Sequence, residues 1–174
     1  MQASKRDGGA PQPLASVAPP SRFEACIPLI LAAEGGFVND PRDPGGATNH
    51  GITRRTLAEW RGQPVSIAEV RALSVAEAGA IYRARYWAPL GCDALPAGVD
   101  LMVFDFGVNA GPARALRLLR QASGGTPVET IERYAAARIA YYRSLPGFAA
   151  FGRGWLKRVA QIRATALAHQ RAAS

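Results

Sequence analysis

Glu34, Asp43 and Thr48 are the residues of this chain whose types and spacing suit proton-transfer chemistry. They sit in one stretch, Glu34 to Thr53, which reads EGGFVNDPRDPGGATNHGIT. Glycoside hydrolysis generally needs a carboxylic acid that protonates the leaving oxygen. It also needs a second carboxylate, or an equivalent polar group, that activates water or stabilises an oxocarbenium-like transition state. Glu34 suits the first role. Phe23, Ile27, Ile30 and Leu31 recur at helical spacing and Glu34 falls in phase with them, so a carboxylate continues a core-facing stripe. Gly35 and Gly36 then end the helix, leaving Glu34 beside carbonyls whose partial negative charge disfavours its ionised form. Partial burial acts in the same direction, and both predict a raised pKa. Pro41 and Pro44, followed by Gly45 and Gly46, predict turns that return Asp40, Asp43, Thr48, Asn49 and His50 toward Glu34. Asp43 is the candidate second carboxylate and Thr48 a candidate for orienting water. The alternative is that Asp40 and Asp43, each preceding a proline, only initiate turns.

This stretch resembles the opening signature of glycoside hydrolase family 108, EGGYVNDPxDPGGxTxxGI followed by Ser or Thr, with Phe37 in place of the usual Tyr. Further matches to that family are the run from Tyr82 to Pro89, the run FDFGVNAGP around Asp105 and Asn109, and FAAFGRGWLKRV near the C-terminus. The resemblance covers about residues 22–165. It implies an N-acetylmuramidase-like enzyme with a lysozyme-type helical fold, in which Glu34 corresponds to the catalytic Glu. Phage-type lysozymes are similar more widely: they too carry a Glu, an Asp nine residues later and a Thr soon after. Many family relatives follow Gly124-Gly125 with a segment resembling peptidoglycan-binding repeats. Here only Thr126 intervenes before Pro127, a departure from that pattern which speaks against a separate wall-binding function for the C-terminal half, although the family resemblance implies a C-terminal peptidoglycan-binding region.

The elements that must position these residues are nearly all helical. Ser21 with Glu24, Ser66 with Glu69, Ser74 with Glu77 and Thr126 with Glu129 have capping-box spacing. Pro28 should kink the first helix or delay its start. Thr53 either caps a short helix from Arg54 to Trp60 or contributes to a cleft. The helix through Ile81, Tyr82 and Tyr86 ends after Trp87 at Pro89. Trp87 reads either as a sugar-stacking aromatic or as core. Val99 to Val108 is apolar on nearly every face, which predicts a central buried helix. Asp105 and Asn109 interrupt it four residues apart, on one side, as candidate substrate-binding groups at the floor of the site. Asn109 reads equally as a structural residue holding the turn at Gly111. Pro112 opens the next helix, and a last one packs through Trp155, Val159 and Ile162. Its Arg153, Lys157, Arg158, Arg163 and Arg171 are read mainly as a solvated side. The expected fold is mainly α, a lysozyme-like two-lobed helical fold with at most a small β-hairpin between Phe37 and Ile52. Its organisation would be a disordered tail over residues 1–21, a catalytic region over 22–110 and a C-terminal helical region over 111–174 packed on the same fold.

The 174 residues suit one compact domain, and 21 basic against 13 acidic side chains give a formal charge of +8. That balance favours a polyanionic partner such as a cell wall without choosing among polyanions. Cys26 and Cys92 are too few for a disulfide framework, and His50 and His169 form no ligand cluster, so neither metal nor cofactor is expected. No apolar run is long enough for a signal peptide or a membrane span. The expectation is a monomeric glycosidase acting on peptidoglycan glycan strands, without nucleic acid or stable membrane insertion. It would be made in the cytoplasm and would reach the wall, in the periplasm or outside the cell, through another component. Competing readings are a lytic transglycosylase on the same fold, a wall endopeptidase using Cys26 and His50, and a non-enzymatic basic cell-wall-binding module.

Overall fold

The computed structural model describes residues 20–39 and 46–174. Asp40 and Asp43 lie outside the described residues, as do Pro41, Pro44, Gly45 and residues 1–19.

Helix α1 spans Arg22–Glu34 and opens on a complete capping box. The Glu24 N–H donates to Ser21 Oγ at 3.3 Å and the Ser21 N–H to Glu24 Oε2 at 2.6 Å. Pro28 does not delay the start. It removes a donor from the exposed side of the helix, where water can satisfy the carbonyl of exposed Glu24. Phe23, Cys26 and Ile30 are buried, and the helix stops at Gly35 with a positive φ.

A two-stranded antiparallel hairpin follows, β1 (Thr48–Asn49) and β2 (Ile52–Thr53), pairing Thr48 with Thr53 and Asn49 with Ile52. Val38 adds a bridge to Thr48. His50 and Gly51 take φ of 51° and 74°, the pair of left-handed residues that matches strand twist in a tight hairpin. Helices α2 (Arg54–Arg61) and α3 (Ile67–Arg71) complete this smaller lobe. Thr53 Oγ1 accepts from the Thr56 N–H at 3.1 Å, so its hydroxyl serves as a helix cap. Buried Asn49 donates to the carbonyls of Val70 and Arg71 at 3.1 and 3.0 Å, satisfying the end of α3 and anchoring the hairpin to it.

The larger lobe contains α4 (Val75–Tyr82), which continues into a π-helical turn at Arg83–Trp87. It also contains α5 (Val99–Ala110), α6 (Pro112–Ala122), α7 (Pro127–Arg143) and α8 (Phe148–Ala172). Every residue of α5 from Val99 to Gly107 is buried, including Asp100 and Asp105. The helix lies against α6, α7 and α8, as its all-round apolar pattern requires. The architecture is mainly α with one small hairpin, a lysozyme-like arrangement.

Trp87 belongs to this core. It is 0% exposed, meets Phe23 and Phe104 edge-on at 5.4 and 5.3 Å, and donates its indole N–H to Asp93 at 2.7 Å. The expectation that it binds substrate is therefore corrected: an aromatic closed off on every side and already hydrogen-bonded has no face left for a sugar.

Candidate active site

Glu34 is the last residue of α1, and its surroundings come from three other elements. The hairpin turn covers it: a Cβ placed on Gly51 would lie 3.0 Å from both Cβ and Cγ of Glu34 and 2.3 Å from the Tyr82 hydroxyl. That hydroxyl, from α4, donates to the His50 carbonyl at 3.0 Å and so ties the turn down. From α8, Arg158 Nη2 comes within 3.6 Å of Glu34 Oε1, an ion-pair distance too long for a hydrogen bond. The Glu34 side chain keeps 26% of its surface exposed, so the carboxyl is partly dehydrated and still reachable.

Arg158 is more firmly committed elsewhere. Its Nε and Nη2 donate to Asp105 Oδ1 at 3.0 and 2.7 Å. The other Asp105 oxygen meets Nη1 of Arg138, from α7, at 2.5 Å in an ion pair not aligned as a hydrogen bond. Arg138 also donates to the Tyr142 hydroxyl at 3.2 and 3.1 Å. Asp105 and Arg138 are both 0% exposed. Charges so deeply buried persist only when paired, and removing one partner strands the other. Asp105 is thus a buried anchor joining α5, α7 and α8, which corrects the expectation that it touches substrate. Arg158 is likewise not on a solvated side.

These neighbours act on Glu34 in opposite directions. Burial pushes its carboxyl above the usual range, the Arg158 guanidinium pulls it back, and the negative charge of Asp105 adds to the rise; the net shift is upward. Because Asp105 occupies two donors of Arg158, the guanidinium only partly offsets the cost of charging Glu34. The carboxyl can hold its proton at a pH where an exposed Glu has lost it, as a proton donor requires.

The remaining expected residues are less closely engaged. Thr48 is half-buried on β1, and among the described residues its hydroxyl makes a long bond of 3.4 Å to the Gly46 carbonyl. Asn109 is exposed at the end of α5 and donates back to the Asp105 carbonyl at 2.8 Å, which suits the structural reading of that residue. Cys26 and Cys92 are buried thiols, and burial pushes Cys26 up to about 12, which removes the thiolate an endopeptidase would need. A pocket of about 580 Å³ lies elsewhere, lined by residues that include Ala47, Arg54, Ala58, Val65 and Ile67 but not Glu34. Among the described residues, no group of three His, Cys, Asp or Glu side chains is placed to hold a metal ion.

The sequence profile of glycosyl hydrolase 108 matches residues 27–111, from the middle of α1 through the end of α5. A solved structure titled "Structure of Brucella abortus SagA" is 40% identical, with a TM-score of 0.73. The match covers 86% of this chain and 95% of that one. The chain belongs to glycosyl hydrolase family 108. No curated protein matches it significantly. The family match spans Glu34, Thr48, Asp105 and Asn109, whereas Arg138 and Arg158 lie beyond it. As a family 108 member the protein is a glycoside hydrolase. Sequence reasoning missed Arg138, Arg158, Tyr82 and Gly51 as parts of the site. A signal existed for the two arginines: an aspartate inside an all-apolar helix demands a buried cation. Arg138 is in phase with Ile131, Tyr134, Ala135 and Tyr142, and Arg158 with Trp155, Val159 and Ile162.

Proposed function

We propose that this family 108 glycosidase is a peptidoglycan hydrolase of the N-acetylmuramidase type, with Glu34 as its general acid. The Glu34 proton passes to the oxygen bridging C1 of N-acetylmuramic acid and the neighbouring N-acetylglucosamine. The C1–O bond then breaks, and water adds to C1 while giving up its own proton. Thr48 and Asp43 are the residues assigned to positioning that water or stabilising the positive charge. The observation that carries this reading is the placement of Glu34: reachable, partly dehydrated, and raised in pKa against a guanidinium whose stronger bonds go to Asp105. The substrate is the glycan strand of the cell wall, where the protein acts as a monomer after release by another component. Its excess of 21 basic over 13 acidic residues suits a polyanionic wall.

Turbidity loss of purified cell walls tests this. Glu34→Gln should stay folded and lose at least about a hundredfold in rate, the lower end for removing a general acid. Mass spectrometry of the wild-type digest should show reducing muramic acid ends. Anhydro-muramyl ends would indicate a lytic transglycosylase instead, and an active Glu34→Gln variant would remove Glu34 from the reaction.

A further inference from the structure

The first turns of α8 carry aromatic surface that packing does not account for. Phe151 is 62% exposed, while most large apolar side chains of the larger lobe are covered. Its ring lies 5.9 Å from that of half-buried Trp155, which stacks at 5.1 Å on Tyr142, the residue whose hydroxyl receives Arg138. The aromatic series therefore runs from the charge network behind Glu34 out to solvent. By helical geometry Phe151, Gly154, Trp155 and Arg158 fall within an arc of about 100° and a length of about 10 Å. The face that brings Arg158 to Glu34 is thus the face that displays the aromatics.

Gly154 lies on the same face, between Phe151 and Arg158. Glycine inside a helix costs about 1 kcal/mol relative to alanine. Among the described residues nothing requires it: a Cβ at Gly154 would meet none of their atoms within 4 Å, and the residue sits within α8 without a positive φ. A bare helix surface between an exposed phenylalanine and the site has a use if another molecule approaches the backbone closely.

We propose that Phe151, Gly154 and Trp155 form a stacking shelf for a pyranose ring of the glycan strand, one that leads into the Glu34 site. The apolar C–H face of the sugar lies on the rings, and the bare backbone at Gly154 lets the strand run close to the helix toward Arg158. The choice of occupant rests on the reading of the protein as a glycan-strand hydrolase and on the shared helix face.

The test uses the full chain carrying Glu34→Gln, so that ligand is not consumed, and soluble peptide-free oligosaccharides of alternating N-acetylglucosamine and N-acetylmuramic acid. Binding is followed by tryptophan fluorescence, with Trp60→Phe added to reduce background. Phe151→Ala is expected to weaken the tetrasaccharide about threefold to tenfold, the range of a single aromatic contact. Gly154→Ala should weaken it as well while leaving the melting temperature unchanged or higher, because alanine favours the helix. The emission of Trp155 should respond to the sugar. Unchanged affinity in both variants would overturn the shelf, as would a Phe151→Ala change confined to self-association measured by sedimentation. The two proposals fail separately. Wall lysis with affinities indifferent to Phe151 and Gly154 removes only the shelf. Affinities that depend on both residues in a protein that never lyses walls remove only the hydrolase reading.

Discussion

At the scale of single residues the site is a contest over one proton. Burial and Asp105 favour the neutral form of Glu34, while Arg158, 3.6 Å away, favours the charged one. Arg158→Gln removes the opposing charge and leaves Asp105 paired to Arg138, so the Glu34 pKa should rise further. A general acid works only while protonated, so activity falls as pH rises through its pKa. The basic limb of kcat/KM against pH on a soluble glycan should therefore move to higher pH in Arg158→Gln. A limb that stays in place or moves down would show that Arg158 does not set the proton affinity of Glu34. Glu34 itself was legible in the sequence, because a carboxylate in phase with Phe23, Ile27 and Ile30 and followed by two glycines has few structural uses. Arg158 was harder to read: it is in phase with Trp155, Val159 and Ile162, yet Arg153, Lys157, Arg163 and Arg171 around it suggest a common solvated side.

Among the elements, the hairpin turn positions the Glu34 side chain most directly. Gly51 has a φ of 74°, and a Cβ there would run into the Tyr82 hydroxyl and crowd Glu34. Gly51→Ala should cost at least about 1 kcal/mol of stability for the backbone conformation alone. It should also slow wall lysis by about tenfold to a hundredfold, since misplacing a catalytic group by about 1 Å has that effect. A lower melting temperature with an unchanged lysis rate would mean that the turn does not position Glu34. Local signals carried most element boundaries. Complete capping boxes at Ser21, Ser66 and Thr126 open α1, α3 and α7 where the spacing predicts. The box at Ser74 is only half formed, because the Glu77 side chain turns to Arg61 at 2.8 and 2.9 Å. The π-helical turn after Tyr82 was illegible, since residue preferences do not distinguish an inserted π turn from continued α-helix.

For the molecule as a whole, the Asp105, Arg138 and Arg158 cluster joins three helices across wide separations in sequence, Asp105 and Arg158 being 53 residues apart. Such partners follow from packing, which is why Asp105 read as a substrate-binding group and not as half of a buried ion pair. Net charge, by contrast, is legible from composition alone. With a formal +8, adsorption of the Glu34→Gln protein to purified walls should weaken steeply as salt is raised, because a Debye length of about 10 Å at 0.1 M screens exposed charges. Salt-independent adsorption, measured by cosedimentation, would show that charge does not drive approach to the wall. To act as general acid, Glu34 must carry its proton beyond the usual carboxylate range. The direct measurement is an NMR titration of its side-chain carboxyl carbon, assigned by comparison with Glu34→Gln. We expect a midpoint above about 4.3, the ordinary value for Glu. A midpoint at or below that value would leave Glu34 without the proton that a general acid must donate.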